Sequence, residues 1–250
     1  MIQDGMNVQD TPIRSFLMIG QSNMAGRGEF SDVPKIENKN CFMLRMGRWQ
    51  TMHEPINTDR WIFEGDFHSG VSLAASFADE ASRMLNAKIG LIPCADGGTS
   101  ICQWMPGEIL YDHAVMMARL AMRTSTLAGI LWHQGENDCT RDDLLYAHKE
   151  RFIEMITALR AELGAPELPL LIGELAEHIS ERWGLGDRPA VMNQKYREIA
   201  AELPHCALVS SKGLSQKPDG LHFDSKGLRV FGKRYFEAYQ SLLKEHDSRE

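Results

Sequence analysis

Short runs rich in apolar residues recur along the chain at 15–19, 41–45, 89–93, 129–132, 168–172 and 207–210. Apolar positions that are consecutive rather than alternate predict strands buried on both faces. Met43 and Arg45 give the second run a poor β propensity. Between the runs the period lengthens. Leu73, Phe77, Ala78, Ala81, Met84 and Leu85 return at three- and four-residue spacing, predicting an amphipathic helix that points Asp79, Glu80 and Arg83 away from its stripe. Leu145, Phe152, Met155, Ile156 and Leu159 predict another, and Met192, Tyr196, Ile199 and Leu203 a third behind the start signal Asp187-Arg188-Pro189. A last helix is expected from Ser225, read as its N-cap, through Leu228, Phe231, Tyr235, Tyr239 and Leu242. Strands alternating with helices predict one α/β domain over 1–250 with a doubly wound parallel sheet. Residues 1–11 are expected to be a flexible extension. The stretches 26–40, 47–70 and 177–188 are expected to be irregular, and loops of that length are often functional.

Composition narrows the partners. The 27 Lys and Arg against 34 Asp and Glu leave a formal charge of −7, which disfavours nucleic acid or an anionic membrane bound through bulk charge. No apolar run approaches the roughly 18 residues of a membrane span. The first ten residues carry two acids and no base, unlike a secretory signal. The five cysteines, Cys41, Cys94, Cys102, Cys139 and Cys206, show neither a C-x-x-C pair nor zinc spacing. A reducing, cytoplasmic setting is the expectation.

Four polar or glycine-rich clusters directly follow predicted strands. They are Gly20-Gln21-Ser22-Asn23-Met24-Ala25-Gly26, Ala95-Asp96-Gly97-Gly98-Thr99-Ser100, His133-Gln134-Gly135-Glu136-Asn137-Asp138, and the segment 211–224. All strands of a parallel sheet end on one edge, where such folds bind ligands, so the four clusters are expected to share a crevice. Ser22 falls at the strand-to-helix turn, as an N-cap or as an exposed nucleophile. Asp219-Gly220-Leu221-His222 places a carboxylate three residues before an imidazole. A serine nucleophile needs a base to take its proton and a third group to orient that base, and this segment can supply both. Donors for a developing oxyanion are then sought in Gly97 or Gly98 and in the amides of Gln134 or Asn137. Glu136 is read as a substrate contact or, with Asp138, as a holder of neighbouring loops. A metal site built from His133, Glu136, Asp138 and His222 lacks a His-Glu-x-x-His spacing.

The blocks at 20–26, Gly97-Gly98-Thr99-Ser100, Trp132-His133-Gln134-Gly135-Glu136 and Asp219-Gly220-Leu221-His222-Phe223, in that order, resemble the Ser-Gly-Asn-His hydrolases, also called GDSL-type esterases. They are most similar to the branch that deacetylates carbohydrates: acetylxylan esterases of carbohydrate esterase family six and sialate O-acetylesterase domains. The resemblance implies a flavodoxin-like, three-layer α/β/α fold and a two-step ester hydrolysis without metal or other cofactor. It implies Ser22 as nucleophile, His222 as general base and Asp219 as its orienting group. The oxyanion hole would use the backbone N–H groups of Ser22 and Gly98 with a side-chain amide. Gly135-Glu136-Asn137-Asp138 matches the wider superfamily, which favours Asn137, whereas the carbohydrate branch favours Gln134. An acetylated carbohydrate is the implied substrate, with Arg27 and Trp104 at the rim and Trp49, Trp61 and Trp183 as further stacking candidates. Two other readings keep the same crevice: a non-catalytic carbohydrate-binding module and an acyltransferase with the same triad.

Overall fold

The structure, a computed structural model, describes residues 11–57, 68–176, 178–179 and 183–247. Their strands form a seven-stranded sheet of order β3-β2-β4-β1-β5-β6-β7. The strands are β1 (Ile13–Gly20), β2 (Cys41–Arg45), β3 (Arg48–Thr51), β4 (Ile89–Pro93), β5 (Ser125–His133), β6 (Leu170–Gly173) and β7 (Cys206–Val209). All neighbours pair in parallel except β2 with β3. Phe16, Leu17, Met18 and Ile19 in the central strand are wholly buried, as a strand covered on both faces requires.

Helices α2 (Leu73–Leu85) and α6 (Ser225–Asp247) pack on each other over one face of the sheet, and α3 (Ile109–Met122), α4 (Asp142–Glu162) and α5 (Arg188–Glu202) cover the other. This is the doubly wound, three-layer α/β/α arrangement. On the first face Phe16 meets Phe77 and Tyr239 edge-on at centroid distances of 4.8 and 5.1 Å. On the second, Trp132 meets Phe152 and Trp104 in the same manner at 5.1 and 5.7 Å. The α2–α6 contact depends on Gly232, where an added Cβ would lie 2.0 Å from the Leu73 carbonyl oxygen.

Several expectations shift. Strand β5 starts four residues earlier than its apolar run, because Ser125 through Leu127 pair with β1 through backbone bonds that need no apolar side chain, with Ala128 at the register shift between Ser15 and Phe16. The edge strand β3 lies inside a stretch expected to be irregular. Its residues are largely exposed, and it is joined to β2 by a two-residue turn, Met46-Gly47, with φ of 50° and 75°. That turn demands two left-handed residues, and methionine in the first place hides the usual sequence signal. Helix α3 carries Ala114, Ala118 and Ala121 on its buried side but Ile109 and Met116 outside, so apolarity runs around it and the stripe blurs. Ser225 is the first helical residue rather than the cap of α6. Asp224 Oδ1 accepts from Gly227 N at 2.7 Å, while Ser225 Oγ donates to Glu29 O. No described helix is long and apolar enough to cross a membrane.

The strand ends that carry the site are stitched together by backbone bonds. Gln21 N donates to His133 O at 2.8 Å and Asp96 N to Gly20 O at 2.9 Å, joining the exits of β1, β5 and β4. Gly20 has φ of 128°, and a Cβ there would lie 2.1 Å from His133 O. Gly20→Ala is therefore expected to destabilise the fold by roughly 3 kcal/mol or more, read as a lower urea midpoint at unchanged m-value.

Candidate active site

The chain leaves β1 at Gly20 and enters the single-turn helix α1 (Ser22–Ala25), whose first residue is Ser22. The turn closes through Ala25 N to Gln21 O and Gly26 N to Ser22 O, leaving the N–H of Ser22 with no acceptor within the helix. Ser22 is 6% exposed, enough to present its hydroxyl at the carboxyl edge of the sheet.

At the other end of the chain, Lys217-Pro218-Asp219-Gly220 forms a tight turn. Gly220 N donates to Lys217 O at 3.1 Å, and Gly220 takes a φ of 67°. Lys217 N then bonds His222 O, folding the segment back on itself. Asp219 Oδ1 accepts from the amides of Leu221 and His222 at 2.8 and 2.9 Å, and its Oδ2 lies 2.8 Å from His222 Nδ1. On the far side of the ring, His222 Nε2 is 2.9 Å from Ser22 Oγ. Because an ionised carboxylate only accepts, the ring proton belongs on Nδ1, which turns the Nε2 lone pair toward the serine hydroxyl. Burial pushes the Asp219 carboxyl up, but the two backbone N–H groups and the His222 ring outweigh it and hold the acid below its usual range.

Beside the nucleophile, Gly97 faces inward: a Cβ there would lie 3.7 Å from Ser22 Cβ and 2.8 Å from an Arg27 guanidinium nitrogen. Arg27 thus sits over Gly97 at the edge of the serine, held partly through its own bond to Gly26 O at 3.0 Å. Gly98 has φ of 71° with open space where a side chain would stand, so it both turns the loop and leaves room above it. Lys217 Nζ ties the two ends of the site together by reaching Arg27 O at 2.8 Å and Glu29 at 2.6 Å.

The third cluster is mostly interior. Gln134 is wholly buried with its amide nitrogen 2.9 Å from Thr99 O, so as it stands it secures the Gly97-Gly98 loop from beneath rather than opening on the crevice. Asn137 is half-buried, and its carbonyl accepts from Thr140. Glu136 is not a rim residue. It is 3% exposed, and its Oε1 accepts from Asn23 Nδ2 at 2.6 Å and meets His133 Nε2 at 3.1 Å. Burial pushes this carboxyl up, but His133 and Asn23 bring it below its usual value overall. Asp138 is also a holder of loops: it receives Ile101 N at 3.1 Å and faces His148 Nδ1 at 2.7 Å.

The aromatic candidates redistribute. Trp104 is 1% exposed, packed edge-on against Trp132 with its Nε1 donating to Thr99 Oγ1 at 3.1 Å, so its faces are closed to a sugar. Trp49 lies on the far edge hairpin, against Gly90 and bonded to Thr124, away from the carboxyl edge of the sheet. Trp61 lies outside the described residues. Trp183, in the loop after β6, is 52% exposed.

Three residues of the neighbourhood escaped sequence reasoning. Asn23 was visible only as a neighbour of Ser22. His148 occupies a position on the apolar stripe of α4, between Leu145 and Phe152, and a polar residue there is the signal that could have found it. His178, from the loop after β6, sets its ring 5.9 Å from that of Phe223. Burial lowers its imidazole pKa while the charges of Asp219 and Glu136 oppose that shift. No spacing marks it in the sequence.

Comparison with known proteins follows the same lines. The family described as carbohydrate esterase, sialic acid-specific acetylesterase matches residues 12–241. A probable carbohydrate esterase of Arabidopsis thaliana is 30% identical over 249 residues, spanning 92% of this chain and 91% of its own. An Arabidopsis thaliana X-ray structure superposes with a TM-score of 0.81 at 27% identity, covering 92% of this chain and 99% of that one. NanS is alike in fold, with a TM-score of 0.75 at 17% identity over 94% of this chain and 99% of its own. So is a carbohydrate acetylesterase from Xanthomonas citri, at 0.68 and 21% identity over 92% of this chain and 56% of that one.

The reassignment of Trp104 has a measurable consequence. Trp104→Ala is expected to cost about 3–5 kcal/mol in chemical denaturation, as for a large side chain removed from a core. A rise in KM at unchanged stability would instead make it a sugar contact.

Proposed function

The chain belongs to the sialic acid-specific acetylesterase family of carbohydrate esterases, and from that premise we propose that it removes O-acetyl groups from carbohydrates through an acetyl-enzyme at Ser22. The observation that carries the reading is the continuous line from Asp219 Oδ2 through both ring nitrogens of His222 to Ser22 Oγ, at 2.8 and 2.9 Å. Family membership makes the protein a carboxylic ester hydrolase; the residues and the steps are the proposal.

In the first step Ser22 Oγ attacks the acetyl carbonyl carbon while His222 Nε2 takes the hydroxyl proton. The carbonyl oxygen becomes an oxyanion facing the N–H groups of Ser22 and of the Gly97-Gly98 loop, which Gln134 holds through Thr99. Asp219 keeps the imidazolium oriented and stabilises its charge. His222 then returns the proton to the departing sugar oxygen, leaving acetyl-Ser22. A water molecule, deprotonated by the same Nε2, attacks the ester, and collapse releases acetate and restores the serine hydroxyl. Arg27, which lies against Gly97 beside the nucleophile, and the exposed Trp183 are the side chains proposed to meet the sugar. A small acyl group is favoured because Trp104 and Trp132 are packed edge-on in the interior behind the site.

Ser22→Ala is expected to lower acetate release from acetylated xylo-oligosaccharides or O-acetyl sialic acids by roughly 10³-fold or more, with an unchanged thermal unfolding curve. Near-normal turnover by this variant would remove the reading, and the relative rates on the two substrates decide the sugar class.

Asp219 generates a pH prediction. A carboxyl held below its unfolded value contributes stability that is complete above that value, about 3.9, and is lost as pH falls through the lower folded value. The stability that Asp219 adds relative to Asp219→Asn should therefore narrow as pH falls below about 4. Urea titrations across that range supply the check.

A further inference from the structure

Ser22 and His222 can exchange a proton only if loops from opposite ends of the chain keep a fixed distance, and the residue that measures this distance is Asn23. It is wholly buried beneath the nucleophile. Its Oδ1 accepts from Phe223 N at 3.1 Å and its Nδ2 donates toward Leu221 O at 3.4 Å, so one amide grips the base-bearing loop on both sides of His222. The same Nδ2 donates to Glu136 Oε1 at 2.6 Å, the shortest of the three contacts.

An asparagine amide can be turned over at almost no steric cost, exchanging its donor and acceptor ends. Turned over here, it would set its NH₂ against the Phe223 N–H and its oxygen against the Leu221 carbonyl and the Glu136 carboxylate. An ionised carboxylate only accepts, so Glu136 dictates which end of the amide faces it. Glu136 is itself constrained. His133 presents Nε2 to the same Oε1, while its Nδ1 packs against Gly173, where a Cβ would come within 2.5 Å. The proton on Nε2 is the arrangement that suits both neighbours. Sequence distance makes the dependence plain: Glu136 is 113 residues from Asn23, and Asn23 is 200 from Phe223.

We propose that Glu136 is a positioning residue for the hydrolysis: by holding the Asn23 amide in one orientation, it sets the base-bearing loop on the nucleophile without touching substrate. This rests on the reading of Ser22 and His222 as nucleophile and base. It separates the glutamate from the substrate contacts and gives the polar interior behind the triad a role in turnover.

The test is steady-state hydrolysis of 4-nitrophenyl acetate by Asn23→Leu, Glu136→Met, the double variant and Glu136→Gln, each checked for cooperative thermal unfolding. A loop displaced by about 1 Å loses on the order of 10²-fold, so kcat should fall by that factor in each of the first two variants, with KM within about twofold. The double variant should lose no more than the worse single one, since both remove the same constraint. Glu136→Gln, which can offer its carbonyl oxygen where Oε1 stood, should recover kcat to within about fivefold of wild type. A merely structural role would lower the unfolding temperature and leave kcat of the folded protein unchanged. Losses that multiply in the double variant, a raised KM with normal kcat, or a Gln variant no better than Met would each overturn the inference. If Glu136→Met fails to unfold cooperatively, the Asn23→Leu and Glu136→Gln kinetics decide alone: normal kcat in Asn23→Leu overturns it. Ser22→Ala in the same assay keeps the two readings apart. Turnover in that variant defeats the triad, whereas an inactive Ser22→Ala beside a fully active Glu136→Met defeats only the positioning role.

Discussion

Two hundred residues separate the hydroxyl of Ser22 from the imidazole of His222, yet their polar atoms lie 2.9 Å apart. Bringing such distant points together carries a chain-entropy cost that grows slowly with the length between them, but holding them to tenths of an ångström is a separate and harder requirement. The sheet meets the first requirement by ending β1, β4 and β5 side by side, with the exit of β1 pinned to both neighbours by backbone bonds. The second is met by polar side chains, chiefly Asn23 and Lys217, which cross from the first loop to the last.

That solution buries charge. Glu136, Asp138, His133 and His148 are almost entirely removed from water, and removing a partner from such a group is costly because the remaining charge is left uncompensated. Each carboxylate is committed to loops from other parts of the chain: Glu136 to Asn23 beside the nucleophile, Asp138 to Ile101 and to His148 on α4. The interior behind the site is therefore less a hydrophobic filling than a set of struts between the strand-end loops. Asp219 differs from these acids in being half-exposed, with both oxygens occupied by its own turn and by the His222 ring. Its hold on the imidazole is local and survives on three short hydrogen bonds.

The crevice shows the same division of labour in its aromatic residues. Trp104 and Trp132 occupy the core beneath the loops, where edge-on contacts and one indole hydrogen bond lock them. An exposed indole is left at Trp183, on the loop after β6, the same connection that brings His178 against Phe223.

Much of this was legible along the chain. Consecutive apolar runs marked six of the strands, because a strand covered on both faces cannot hide its composition. The four clusters after strand ends marked the loops that meet around Ser22, because parallel strands share an exit edge. Asp219 and His222 stood out as a pair because a three-residue turn is a local event. What the linear order could not decide is which polar and aromatic residues face the crevice. Gln134 reads as a site-facing donor and is an interior strut, Glu136 keeps its reading as a loop holder and loses the one as a substrate contact, and Trp104 reads as a platform and is core. Met46-Gly47 hid a hairpin, and the apolar outer side of α3 hid a helix. The physical reason is common to all of them. Periodicity and turn chemistry are properties of neighbours in sequence, whereas burial, the orientation of an amide and the partner of a charge depend on residues a hundred or more positions away, which come into contact only when the sheet closes.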